Sequence, residues 1–169
     1  GPAQLQPGTL PPLVRVERSI LIGMQWEVET RVKRLTPDGS AVVIEVPLLP
    51  GEQVTTADVR VQNRKALVNM APGDSEFSWH GSLQETEQLE LVAAAVPELT
   101  EQWRLQVSPM FHAELTGIPS LHPERAETAR EPIWWPWPGE KVGIAVSRPA
   151  AKTGATLTID LARIELRPG

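Results

Sequence analysis

Prolines interrupt this chain along its whole length, 17 of them in 169 residues, and 12 glycines add further breaks. A proline has no amide hydrogen to donate and its ring clashes with the preceding helical turn, so spacing this dense excludes long helices. Between the breaks lie short runs of Val, Ile, Leu and Thr in which apolar residues fall on alternate positions, the period of a strand with one buried face. The expected class is all-β: a two-sheet antiparallel β-sandwich, jelly-roll-like or Ig-like, of about ten strands.

From Ile20 to Leu35 the even positions Ile22, Met24, Trp26, Val28 and Val32 are apolar, whereas Gln25, Glu27, Glu29, Arg31 and Lys33 are polar. This alternation predicts one long strand with its even residues against the core. Thr36-Pro37-Asp38-Gly39-Ser40 has turn chemistry and predicts a hairpin whose return strand, Ala41 to Val46, carries Val42, Ile44 and Val46 on one face. Short strands are expected at Val59 to Gln62 and Ala66 to Met70, around the polar turn Asn63-Arg64-Lys65. After the breaker Ala71-Pro72-Gly73-Asp74, the residues Phe77, Trp79 and Leu83 mark a strand with a weak point at Gly81. The alanines of Leu89 to Val96 favour helix by propensity, but the run is short and Pro97 closes it, so it reads as strand.

Trp103, Leu105 and Val107 alternate, as do Phe111, Ala113 and Leu115, with Pro109 between them marking a bulge or a change of sheet. Val142, Ile144 and Val146 form another strand. Leu157, Ile159 and Leu161 form the next, and a slip of phase at Ala162-Arg163, onto Ile164 and Leu166, is what a bulge or corner produces. Trp26, Trp79 and Trp103 lie in phase with these apolar positions and belong to the core.

One domain, residues 13–169, is expected after a poorly ordered lead-in of residues 1–12, in which Gly1-Pro2 has the form of a cleaved-tag remnant. Ser120 to Glu131 is polar and reads as an exposed, mobile loop. No apolar run approaches the roughly 18 to 20 residues that span a bilayer. The expectation is a fragment of a longer protein with no membrane span of its own.

The formal charge of −5 and the lack of a basic tract argue against nucleic acid as a partner. With no cysteine there is neither a disulfide frame nor a thiolate site. His80, His112 and His122 stand apart, without the spacing that sets two metal ligands on one face. Ser78-Trp79-His80-Gly81-Ser82 lacks the glycine-flanked serine of a nucleophile elbow, and phosphate-binding glycine loops are missing. The 21 acidic residues guarantee some carboxylate pair, so pairing by itself carries no signal. A non-enzymatic module with no catalytic residue, metal or cofactor is expected.

The candidate binding residues are Trp134, Trp135 and Trp137, in Pro132-Ile133-Trp134-Trp135-Pro136-Trp137-Pro138-Gly139-Glu140. Its prolines hold the backbone extended, as an edge strand or polyproline-like arm, so Trp135 and Trp137 point one way and Trp134 the other. Three roles fit such an arm: a plug closing the end of the sandwich, a docking surface for another domain, or a platform that stacks on sugar rings. A plug with a docking outer face is the favoured reading, with Trp135 and Trp137 inward and Trp134 exposed.

The stretches LIGMQWEVET, VPLLPGEQVTT, WWPWPGEKV and TLTIDLARIELRPG resemble a β-rich segment of large, uncharacterised bacterial membrane-associated proteins. The resemblance runs over most of the chain from about Arg18. It implies a structural or interaction-mediating β-sandwich in the periplasmic or extracytoplasmic part of an envelope protein. Its partners would be other domains of the same chain or envelope proteins, with a glycan, through a carbohydrate-binding module, as the alternative. It carries over no catalytic residue.

Overall fold

The computed structural model describes residues 12–37, 39–121 and 131–149. Among these residues there are no helices, and the strands in chain order are β1 (Val14–Ile22), β2 (Trp26–Arg34), β3 (Val42–Pro47), β4 (Glu52–Val54), β5 (Arg60–Gln62), β6 (Lys65–Met70), β7 (Glu76–Leu83), β8 (Gln88–Val92), β9 (Leu99–Val107), β10 (His112–Gly117), β11 (Ile133–Trp134) and β12 (Lys141–Ser147). The all-β expectation holds, with twelve strands among the described residues rather than about ten. Hydrogen bonding divides them into three sheets: a six-stranded sheet in the order β11-β9-β1-β2-β7-β4, and two three-stranded sheets, β10-β12-β8 and β3-β6-β5.

The large sheet forms one layer, and the two small sheets lie side by side on its inner face. Every even residue of β1 from Val14 to Ile22 is buried. Ile20 and Ile22 pack in a cluster with Leu89 and Leu91 of β8 and Val142, Ile144 and Val146 of β12. Val14 and Val16 pack instead with Val42 and Val46 of β3 and Ala66, Val68 and Met70 of β6. The pairing of β1 with β9 is parallel, so the large sheet is mixed rather than purely antiparallel.

The single long strand expected from Ile20 to Leu35 is a hairpin. β1 and β2 pair with Ile22 opposite Trp26, leaving Gly23, Met24 and Gln25 as the turn and Met24 86% exposed. A three-residue loop sets even residues opposite even residues, so the apolar phase passes through the turn unchanged. Met24 is therefore not a core residue, whereas Trp26, Val28 and Val32 are. Nor do they share one cluster: Trp26 and Val28 lie in the first and Val32 in the second.

The turn chemistry at 36–40 ends β2 but makes no hairpin with β3. β2 takes β7 as its second neighbour, and β3 crosses to the other layer to pair with β6. The turn between β5 and β6 is as tight as expected: Gln62 faces Lys65, and Asn63 and Arg64 have φ of 52° and 61°. Two successive residues of positive φ give the mirror-image turn whose twist matches a hairpin. β8 confirms the strand reading of the alanine region only as far as Val92. Pro109 stands where the chain leaves the large sheet at the end of β9 and enters the other layer at β10.

A four-residue device recurs at Leu49-Pro50-Gly51-Glu52, Ala71-Pro72-Gly73-Asp74 and Trp137-Pro138-Gly139-Glu140. In each, the fourth N–H donates to the first carbonyl, at 3.0, 2.9 and 3.0 Å, and the glycine has φ of 76°, 95° and 84°. This is the type II turn that Pro-Gly favours. The acidic side chain then reaches back to accept the first residue's N–H, at 2.8 Å for Glu52, 3.0 Å for Asp74 and 2.7 Å for Glu140.

The lead-in up to Pro11, residues 122–130 of the polar loop, and the strands expected at Leu157–Leu161 and Ile164–Leu166 lie outside the described residues.

Candidate functional site

The tryptophan arm lies on the edge of the large sheet. β11 pairs antiparallel with β9, Trp134 opposite Trp103, and Leu105 N–H donates to the Pro132 carbonyl at 3.1 Å. Three residues on, the Trp137–Glu140 turn is tied to the end of β8: Ala93 N–H donates to the Glu140 carbonyl and Gly139 N–H to the Ala93 carbonyl, both at 2.9 Å. The arm is thus anchored at both ends.

Its side chains split as an extended backbone requires, but in the opposite sense to the expected one. Trp134 is 1% exposed, while Trp135 is 49% and Trp137 76% exposed. The reason is register. Trp103 points into the core from β9, and a residue directly opposite it on an antiparallel neighbour must point the same way. Pro132 and Pro136 are buried in the same phase as Trp134. Trp134 closes the end of the core and presents no face to a ligand, so of the three candidate residues Trp135 and Trp137 are the ones a partner can reach.

Trp135 and Trp137, with Pro136 and Pro138, form one wall of a cleft of about 410 Å³, and Ala93, Ala94, Val96, Pro97, Leu99 and Thr100 supply the other. Both walls bear prolines, and the second turns at Pro97, where Leu99 N–H donates to the Val96 carbonyl at 3.1 Å. The Arg15 guanidinium lies 5.6 Å from the ring centre of Trp135, within range of a cation–π attraction that holds the indole in place. The one charged residue lining the cleft, Glu101, is 4% exposed. Its Oε2 accepts Ala94 N–H at 2.6 Å, and its Oε1 accepts Trp103 Nε1–H at 2.9 Å. What the cleft offers is a flat apolar surface with few hydrogen-bonding side chains.

Beneath the cleft runs a feature that the sequence reading missed, a polar belt between the two core clusters. Across the large sheet Trp79, Thr30, Arg18, Trp103 and Trp134 stand opposite one another in succession. Arg18 Nη2 donates to the Pro47 carbonyl at 2.6 Å, its Nε lies 3.5 Å from Glu101 Oε1 and its Nη1 3.9 Å from Glu52 Oε1. Glu52, fully buried, accepts Trp79 Nε1–H at 3.0 Å through Oε2. Gly81, expected as a weak point, is instead the place where this carboxylate fits: a Cβ there would lie 3.0 Å from Glu52 Cγ, Glu52 Oε2 and the Gln53 carbonyl, and β7 runs on through it unbroken. A signal did exist, since Arg18 and Glu101 are charged residues in the apolar phase of their strands. Glu52 has no such pattern around it.

The remaining candidates do not converge. His80 and His112, on β7 and β10, are 66% and 62% exposed in their side chains, each with its Nε2 3.8 Å from one glutamate, Glu29 and Glu114. His122 lies outside the described residues. No group of three potential metal ligands occurs among the described residues. Ser78 and Ser82 sit on the outer face of β7, on a regular strand rather than a sharp turn. A second cleft, of about 500 Å³, lies at the Trp26 end of the core and is lined by Glu85, Thr86, Glu87, Phe111 and Arg148. Arg148 occupies its aromatic wall, 5.1 Å from the Phe111 ring centre. No helix among the described residues is long and apolar enough to cross a membrane.

Scanned against protein-family models, the chain matches none. A search of curated proteins finds no significant match either.

Proposed function

We propose that this chain is a non-enzymatic, interaction-mediating β-sandwich module, and that the Trp135–Trp137 cleft docks an extended, uncharged, proline-bearing segment of a neighbouring domain. The observation that carries the reading is the pair of exposed indoles on a proline-stiffened arm tied down at both ends. Large aromatic side chains held rigid lose little conformational entropy on binding and supply the anchors of an interface. An aromatic-lined groove suits an extended proline-containing chain, whose own backbone is already ordered. Charge supports the same occupant, because the carboxylate of Glu101 is turned inward and both its oxygens already accept donors.

The setting proposed for the module is the extracytoplasmic part of a bacterial envelope protein, a reading that rests on the sequence resemblance alone. The second reading, a carbohydrate-binding module, draws on the same two indoles, which can stack on sugar rings. It is weakened by the lining, where Thr100 is the lone uncharged polar side chain.

Titration of the intrinsic fluorescence with a synthetic leucine- and proline-rich peptide, and separately with oligosaccharides, tests the choice. Saturable quenching by the peptide in the micromolar to millimolar range, on the order expected of a small groove, and its loss in a Trp135→Ala, Trp137→Ala double variant that still folds, is the expected result. Saturable quenching by a sugar would favour the carbohydrate module. Silence in both titrations would remove the cleft as a docking site for either class.

A further inference from the structure

Two buried polar atoms of the belt lack hydrogen-bond partners within the protein: Arg18 Nη1 and Thr30 Oγ1. They belong to residues that stand directly opposite each other on β1 and β2, on the inner face, with Arg18 4% and Thr30 0% exposed. The nearest acceptor to Arg18 Nη1, Glu52 Oε1, is 3.9 Å away, too far for a direct hydrogen bond. Every oxygen of the two carboxylates already accepts at least one donor. An arginine Nη carries two hydrogens and no lone pair, and a threonine hydroxyl both donates and accepts.

We propose that the belt is a binding site for a single internal water, held by Arg18 Nη1, Thr30 Oγ1 and Glu52 Oε1. The water accepts from the guanidinium, donates to the remaining lone pair of Glu52 Oε1 and exchanges its other hydrogen bond with the Thr30 hydroxyl. That gives it about three hydrogen bonds, the usual number for a buried water. It also explains a guanidinium–carboxylate spacing too long for contact and too short for independence. Neither an anion nor a cation suits the site as well: the belt's net charge of −1, from Glu52, Glu101 and Arg18, repels the first, and the Nη1 hydrogens repel the second. A neutral molecule that both donates and accepts satisfies all three groups.

The test is a crystal structure of the 169-residue chain at a resolution that places waters, with counting of long-lived internal waters by water-oxygen magnetic relaxation dispersion. Density within roughly 2.7–3.2 Å of Arg18 Nη1 and Thr30 Oγ1 is expected. One fewer long-lived water is expected in Thr30→Val, with the number restored in Thr30→Ser. Both substitutions suit a buried strand position, and unfolding curves would show that each variant folds. Direct contact between Arg18 Nη1 and Glu52 Oε1, with no density between them, would overturn the proposal. So would the same count of long-lived waters in Thr30→Val as in the parent chain.

Discussion

Leu49-Pro50-Gly51-Glu52 and Trp137-Pro138-Gly139-Glu140 fold into the same turn, with the same backbone hydrogen bond and the same acidic side chain reaching back to the first N–H. Their surroundings are opposite. The first turn is gripped by Arg64, which donates to the Leu49 carbonyl at 2.7 Å and the Glu52 carbonyl at 2.8 Å, and its carboxylate lies in the core against Trp79 and Arg18. The second is held to Ala93 by backbone hydrogen bonds alone and lies at the surface, its Trp137 76% exposed and nothing within 4 Å of a Cβ placed on Gly139. A four-residue motif can thus specify a turn completely and leave open whether its acid is a surface group or the anchor of a buried ionic belt.

The largest expected contrast comes from removing each acid. Glu52→Ala takes the acceptor from Trp79 Nε1–H and Leu49 N–H and leaves Arg18 with Glu101 as its remaining carboxylate. Breaking a buried ion pair from one side typically costs about 3–5 kcal/mol. Glu140→Ala forfeits one hydrogen bond at the surface, about 0.5–1.5 kcal/mol. Urea unfolding of the two variants measures both, and equal losses would mean that the belt contributes no more than a turn closure.

Alanine at the two glycines probes space against conformation. Gly81→Ala drives a methyl group into Glu52 and the Gln53 backbone, an overpacking cost of about 1–3 kcal/mol. Gly139→Ala meets open space and pays only for the left-handed backbone, about 1–2 kcal/mol. The sharper reading is in the double variants. With Glu52→Ala in place the cost of Gly81→Ala should shrink, because its obstacle is gone, whereas Gly139→Ala should cost the same with or without Glu140→Ala. Additivity at Gly81 would show that the Gln53 backbone alone closes that gap.

The smallest effect is expected at the exposed indole. Trp137→Ala should leave stability within about 0.5 kcal/mol, as at surface positions generally, while Trp134→Ala should cost about 3–5 kcal/mol as a core truncation. A thermal midpoint lowered as far by Trp137→Ala as by Trp134→Ala would mean that the arm plugs the sandwich from the other face.

Much of the layout was legible because the physics behind it is local. Proline density excluded long helices, Asn63-Arg64-Lys65 announced a tight turn, and Pro109 marked a bulge or a change of sheet, each through backbone preferences that neighbours hardly alter. Alternation located β7, β9 and β12 and placed Trp26, Trp79 and Trp103 inside. It failed at Met24, because a three-residue loop preserves even phase and a hairpin then reads like one strand. The partner of β3 was hidden for a related reason: turn residues at 36–40 say that β2 ends, not whether the next strand returns beside it or crosses to the facing layer.

In the arm, the amino-acid sequence by itself determined that the backbone is extended around the tryptophans and that Trp134 opposes Trp135 and Trp137, since these follow from the φ of proline and the alternation of a strand. The expected extension to Glu140 stops short, because the chain turns at Trp137–Glu140. Which side faces inward was decided by the pairing of Trp134 with Trp103, a contact between residues far apart in the chain. The belt has the same origin. A charged residue in an apolar phase, such as Arg18 or Glu101, marks an exception without naming its partner, and Glu52 joins it because β4 lies against the one position of β7, Gly81, that has no side chain to exclude a carboxylate. Long-range pairing brings those groups together, and no local preference encodes it.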